Sequence, residues 1–338
     1  MVVICILLVI AAVAVNTRQL GSGQRQTALT GPRAALPGIG RVSPSTEPDY
    51  PAPIHFHQYS GSEMARGGVG TVYRVTHPQT GIPYAIKQLN RQFLQDQLVI
   101  DAFHTGAAML MELRHPHIVR VYYDWVEHNE GWQDHFVIME YLPGQTLHDL
   151  IRTKSPLPFD AWLMDLARSL GDAISYLHSH DIVHRDIKPE NFRLGDSGFK
   201  LLDFDTAISR SRRRSTSQDG MPVGTPEYMS PEQARGISDI DPRADVYSFG
   251  MLLYELLTGT VPFTGAPSRV LIDQMETAPR HPRSIAPQIP APVDDIIMMA
   301  LQKERDRRFQ SIGAMMAALG SAFAAQYPKA PDGDGAAL

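Results

Sequence analysis

The hydrophobic period of the chain changes once, near residue 143, and that change limits the folds open to it. Before it, apolar residues alternate in short runs: TVYRV at 71–75, YAIKQL at 84–89 and HFVIMEYL at 135–142. Alternation in such runs marks half-buried strands. One helical stretch, about 94–113, interrupts them. After residue 145 helices dominate. Leu163, Leu166, Leu170, Ile174 and Leu177 recur at three- and four-residue steps between Ala161 and His178. Val246, Phe249, Leu253 and Leu256 repeat the pattern between Asp245 and Leu257. That spacing lays an apolar stripe along one side of a helix. A small sheet-rich part followed by a larger helical part predicts an α+β chain of two lobes with a cleft between them.

Composition permits this. A chain of 338 residues that is 43% hydrophobic and 20% charged has apolar material for one large domain or two lobes. A net charge of −5 argues against nucleic acid as the main partner. The single cysteine, Cys5, lies in the apolar N-terminus, so the folded body has no thiol, disulfide or cysteine-based zinc site.

The flanks read differently from the body. Residues 1–15, MVVICILLVIAAVAV, carry no charge but are short of the roughly 20 apolar residues of a full helical span. A secretory signal would need a basic start, which is missing. A signal anchor fits at least as well, and an unstructured leader is the plain alternative. Arg18, Arg25, Arg33 and Arg41 follow with no acid before Glu47, a bias that on the anchor reading would keep the downstream side cytoplasmic, with residues 1–15 tethering the body to the inner membrane face. The boundaries read as an apolar leader at 1–16, a linker at 17–53 rich in proline and glycine, a body at 54–326 divided at 141/142, and a frayed tail at 327–338.

Two stretches carry chemistry. In ARGGVGTVYRV, 65–75, Gly67, Gly68 and Gly70 let a backbone approach something closely. Backbone N–H groups can then face phosphate oxygens, although a glycine-rich hairpin is commonly just a hairpin. Lys87, in YAIK, sits inside an apolar strand and needs an anionic partner there. A nucleotide phosphate would serve; the alternative is a lysine on the solvent face of an edge strand. HRDIKPEN, 184–191, is the stronger signal. Asp186 could orient a hydroxyl and accept its proton, Lys188 could neutralise a transferring phosphoryl group, and Asn191 offers Mg²⁺ a neutral oxygen. Asp203 is a second hard ligand downstream. His178, His180 and His184 lack the carboxylate or thiol that would complete a zinc site.

The order of these parts resembles the protein kinase family. A glycine loop, YAIK, HRDIKPEN, Asp203 in DFD and SPE at Ser230–Glu232 follow in sequence, and the likeness extends over about residues 56–322. GTPEYMSPEQ and Lys188 resemble the serine/threonine branch; HPHIVRVYYDW and VIMEYLPGQTL resemble bacterial members. The resemblance implies a small β-rich N-lobe, a larger helical C-lobe, ATP, Mg²⁺ and a protein substrate with a serine or threonine hydroxyl. It makes Met139 the gatekeeper, with the Glu140 and Leu142 backbones at the adenine edge and Val72 and Ala85 on its face. It implies Lys87 on the α/β-phosphates, Asn191 and Asp203 on Mg²⁺, and Asp186 and Lys188 as catalytic residues. It pairs Glu232 with Arg308 and makes Asp245 the brace of the catalytic loop.

Three positions depart from the family. Ala65 stands where the glycine loop begins, a small loss of loop freedom. Gly106 stands where a helix glutamate pairs with the strand lysine, and weakens that helix by about 1 kcal/mol relative to alanine. Asp205 replaces the glycine of the metal-binding motif, at a turn where aspartate tolerates left-handed geometry. Asp205 reads either as a solvent-facing turn residue or as the replacement partner of Lys87. These departures leave three functions open: a slow or partner-dependent serine/threonine kinase, a pseudokinase that binds nucleotide or scaffolds, and a small-molecule phosphotransferase. Thr206–Val223 reads as a mobile loop, or as an activation segment in which a phosphate on Ser215, Thr216 or Ser217 pairs with Arg185.

Overall fold

Alternation in the first half of the body becomes one sheet. In this computed structural model five antiparallel strands run in the order β1-β2-β3-β5-β4. They are β1 (Ser60–Arg66), β2 (Gly70–Thr76), β3 (Pro83–Leu89), β4 (Val121–Asn129) and β5 (Trp132–Glu140). The structure describes residues 54–129, 131–210 and 222–327. The leader, the linker, the tail from 328 on, and Ser215, Thr216 and Ser217 lie outside the described residues.

Strand alternation sorts β3 into two faces. Tyr84 and Ile86 enter an apolar cluster with Tyr59, Val75, Tyr123, Trp125, Phe136 and Ile138. The Phe136 ring stacks between Trp125 and Phe56, at 4.9 and 4.8 Å. Burying side chains of this size is worth roughly 1.5–3 kcal/mol each, so this cluster fixes which way the strand faces. Ala85 and Lys87 consequently point to the opposite side. Between β3 and β4, helix α1 (Gln97–Glu112) begins where Asp96 accepts hydrogen bonds from Leu98 N and Val99 N. It is slightly shorter than the 94–113 expected.

The chain divides into two compact units, one holding the sheet, α1 and residues 202–206, the other holding residues 145–201 and 207 onward. This is the α+β, two-lobed fold expected, but the first unit runs to Gly144 instead of ending at 141, and a second segment is also placed differently. The segment 202–206, which the sequence assigns to the helical part, groups with the sheet.

The second unit contains α2 (Leu147–Lys154), α3 (Ala161–Ser179), α4 (Pro231–Ala234), α5 (Arg243–Thr258), α6 (Pro267–Glu276), α7 (Ala291–Ala300) and α8 (Ile312–Gln326). Two small antiparallel pairs join β6 (Ile182–Val183) to β9 (Ile208–Ser209) and β7 (Phe192–Gly195) to β8 (Gly198–Leu201). The apolar stripes expected on α3 and α5 are buried along their whole length. Asp160 caps α3 by accepting from Leu163 N, and α5 ends at Gly259, whose φ of +80° is left-handed. Among the described residues no helix is long and apolar enough to cross a membrane.

Candidate active site

In the sheet unit, register brings the expected nucleotide residues onto one face. Lys87 lies directly opposite Val72 on β2, and Ala85 lies opposite Met139 on β5. Directly opposed residues project to the same side, so Val72, Ala85, Lys87 and Met139 share a face. Ala85 is small and buried, and Leu142 is buried just beyond β5. Glu140 donates its backbone N–H to Arg120 O at 2.9 Å and accepts from Arg120 N at 2.7 Å. β3 is the central strand of the five, which removes the edge-strand reading of Lys87.

The glycine loop joins β1 to β2. Ala65 pairs with Val72 after a register shift in β1, and Gly67 donates to Gly70 O at 2.8 Å. Asn90 holds the loop: its amide donates to the carbonyls of Gly67 and Gly68, and its backbone N–H donates to Val69 O. At Gly70 a Cβ would lie 2.8 Å from Gln88 O and 3.1 Å from the Lys87 side chain. The nearer contact is with backbone that cannot yield, so glycine is required there.

Lys87 Nζ sits 2.8 Å from Asp203 Oδ1 and 2.7 Å from Asp205 Oδ2. Burial works against its charge, but Asp203 and Asp205 together hold the ammonium above its ordinary range. Asp205 is pushed up to about 6 by burial and by the nearby Asp203, against the pull of Lys87. The solvent-facing reading of Asp205 is therefore corrected: its side chain is 16% exposed and paired with the lysine. The left-handed residue of the motif is Asp203, at φ +56°, and Asp205 is not left-handed. Two carboxylates on one ammonium leave a net negative charge, and the Asp203 side chain is 41% exposed. That donor chemistry suits a hard divalent cation.

In the helical unit, the residues of HRDIKPEN converge on one carboxylate. Asp186 Oδ1 accepts from Thr225 N at 3.0 Å and Thr225 Oγ1 at 2.9 Å. Asp186 Oδ2 meets Lys188 Nζ at 2.7 Å and accepts from Asn191 Nδ2 at 3.1 Å. Lys188 also donates to Thr225 Oγ1 at 2.6 Å. Asn191 Nδ2 donates a second time to Asp186 O, so its carbonyl oxygen is the atom left for a cation.

This loop is held in a costly conformation. Arg185 has φ +67°, which a non-glycine residue adopts only when its surroundings impose it. The fully buried Asp245 supplies the constraint, accepting from His184 N and Arg185 N at 2.9 Å each and from His178 Nε2 at 2.8 Å. Burial raises the Asp245 carboxyl, but its hydrogen bond to His178 and the nearby His178 and His184 outweigh that and hold it below the ordinary range. Gln233 grips the same loop by donating to Arg185 O at 2.7 Å.

Glu232 and Arg308 form a buried two-point ion pair with both contacts at 2.7 Å. The remaining guanidinium donors reach the carbonyls of Gln302, Arg243 and Lys303. Removing one partner of such a pair typically costs 3–5 kcal/mol.

Thr225 and Asn90 are site residues that sequence reasoning did not single out. Thr225 lay within the quoted GTPEYMSPEQ; nothing in the local sequence marked Asn90.

Sequence comparison finds relatives among bacterial proteins. The serine/threonine-protein kinase PknB of Mycobacterium leprae is 32% identical over 80% of this chain and 44% of its own length. PknB of Mycolicibacterium smegmatis is 32% identical over the same shares. The serine/threonine-protein kinase pkn2 of Myxococcus xanthus is 33% identical over 78% of this chain and 32% of its own length. The chain thus spans less than half the length of these relatives. The model of the protein kinase domain matches residues 59–321, the sheet and helical units alike, and the chain belongs to the protein kinase family.

Proposed function

We propose that this chain is a serine/threonine protein kinase that transfers the γ-phosphoryl group of Mg·ATP to a protein hydroxyl. The observation that carries the proposal is the Asp186 carboxylate, with one oxygen set by Thr225 and the other by Lys188 and Asn191. A carboxylate so fixed can orient an acceptor hydroxyl and take its proton. Lys188 neutralises charge on the transferring group. Lys87 holds phosphate oxygens, and Val72, Ala85, Met139, Glu140 and Leu142 hold the base. The glycine loop with Ala65, Gly67 and Gly70 covers the phosphates. Asn191 and Asp203 would hold Mg²⁺, which would supply positive charge to offset that of the phosphates.

The serine/threonine assignment draws on Lys188 and its bond to Thr225, and on the names of the relatives. The buried Glu232–Arg308 pair supports a protein substrate over a small molecule, because it pins the segment that follows Thr225. The body, 54–326, is proposed as the catalytic domain, with residues 1–15 tethering it to the inner membrane face; co-sedimentation with anionic vesicles, lost on deleting 1–15, tests the tether.

The decisive experiment is transfer from labelled ATP to a general protein acceptor by the wild type, Lys87→Met and Asp186→Ala. Wild-type transfer that falls at least 100-fold in both variants is expected. Nucleotide binding with no transfer by the wild type, or transfer undiminished in Asp186→Ala, overturns the proposal in favour of a binding module.

A further inference from the structure

At Gly106 helix α1 lies against the segment that carries Asp203 and Asp205. A Cβ built there would lie 2.6 Å from the Phe204 carbonyl oxygen, 2.9 Å from its carbon and 3.4 Å from Asp205 N. Backbone atoms cannot yield as a flexible side chain can, so any residue but glycine must push helix and segment apart. The neighbouring helix residue, Phe103, is buried and turns its ring to Lys87, with Nζ 5.8 Å from the ring centre. The helix face toward Lys87 therefore offers an aromatic ring and a bare backbone, with no carboxylate.

We infer that Gly106 and Asp205 are a reciprocal pair: the missing side chain at 106 lets the Phe204–Asp205 backbone lie against α1, and this seats Asp205 as the residue that positions Lys87. The inference rests on the phosphotransfer reading of Lys87. It accounts for two of the three departures from the family at once. A carboxylate is lost from the helix and regained on the segment, and each change needs the other. A glutamate at 106 would collide with Phe204 O, and a glycine at 205 would leave Lys87 with Asp203 alone. Asp203 is the proposed cation ligand, so without Asp205 one carboxylate would serve both lysine and metal.

The arrangement moves authority over Lys87. One short segment, 202–206, now carries both the proposed metal ligand and the carboxylate that orients the lysine. Helix α1 offers Lys87 no carboxylate and acts on it through the Phe103 ring and through its packing against that segment. A ligand or partner that shifts the segment would change lysine and metal ligand together.

The test uses the full chain with Asp205→Asn, Gly106→Ala, Gly106→Glu and the double variant Gly106→Glu/Asp205→Gly. Three quantities are measured: kcat and KM for ATP, the melting temperature, and the rate at which a water-soluble acetylating ester labels Lys87, read by mass spectrometry. Asp205→Asn keeps shape and removes charge. It is expected to lower kcat/KM for ATP about 10–100-fold, the loss of one charge-assisted contact, with little change in melting temperature. Gly106→Ala, which in an exposed helix would stabilise, is expected to lower activity to a similar extent. Both should speed Lys87 acetylation about threefold or more, because the ammonium loses a partner.

The double variant is expected to recover about tenfold over Gly106→Glu alone, since the backbone at 205 can withdraw and the helix carboxylate can reach the lysine. Wild-type kinetics and labelling in Gly106→Ala would overturn the inference, as would unchanged Lys87 labelling in Asp205→Asn or a double variant no better than Gly106→Glu. If the wild type transfers no phosphate, the kinase reading fails and the labelling rates still decide this one. If the Gly106 variants do not fold, the isosteric Asp205→Asn decides it.

Discussion

The two oxygens of Asp186 are set by different partners, and Thr225 serves one of them twice, through its amide and its hydroxyl. Thr225→Val keeps the amide and the volume and removes the hydroxyl. A hydrogen bond to a charged group is worth about 1.5–3 kcal/mol, so kcat is expected to fall roughly tenfold or more with the melting temperature nearly unchanged. Thr225→Ser should retain most of the rate; a silent Thr225→Val would remove the threonine from the mechanism. The grouping of Asp186, Lys188 and Asn191 was legible because three polar residue types fall within eight positions. Thr225 was not, because hydroxyls are common and its partner lies 39 positions away. Asp205 was half legible: the sequence shows a carboxylate where glycine is expected, and only the fold shows that burial turns it to Lys87.

At the scale of elements, α1 is tied to the sheet by a chain of titratable groups. His104 on α1 contacts Asp124 on β4 through Nδ1 and reaches His135 Nδ1 on β5 through Nε2 at 2.7 Å. One ring must donate and the other accept, so a second proton would set two N–H groups against each other. Burial and His104 lower the pKa of His135, with His128 adding to this and Asp134 and Asp124 opposing it. A histidine with a folded pKa below its unfolded value of about 6.5 binds protons less readily when folded. Stability from this group is thus present above about pH 6.5 and is lost as pH falls below it. The denaturant midpoint should drop between about pH 7.5 and pH 5.5 in the wild type and drop less in His135→Gln; equal slopes would place the sensitivity elsewhere.

Three strands and three helices could be read from hydrophobic period, and α3 and α5 match their stripes almost to the residue. β1 escaped because SGSEMAR is an edge strand with most of its residues exposed, so it shows no apolar alternation. β4 does alternate, burying Val121, Tyr123 and Trp125, but the half-buried Tyr122 and Val126 put further apolar residues on the other face and blur the pattern in the sequence. The central position of β3 depends on pairing order, which no local pattern encodes.

For the whole molecule, metal dependence is the broadest prediction. At a Mg·ATP concentration 100-fold above its dissociation constant, binding should add about 2.7 kcal/mol to stability and raise the melting temperature. EDTA should abolish phosphate transfer and reduce the shift, and excess Mg²⁺ should restore both. A shift and a rate indifferent to EDTA would count against Asn191 and Asp203 as metal ligands. The fold places a further demand on synthesis. The carboxylate partners of Lys87 lie 116 and 118 positions after it, beyond most of the first helices of the other unit. A ribosome that has finished all five strands has therefore not yet made the acids that neutralise their one inward ammonium. Until residue 205 emerges, the newborn sheet keeps that charge wet, and its final closure waits on a stretch translated after α3.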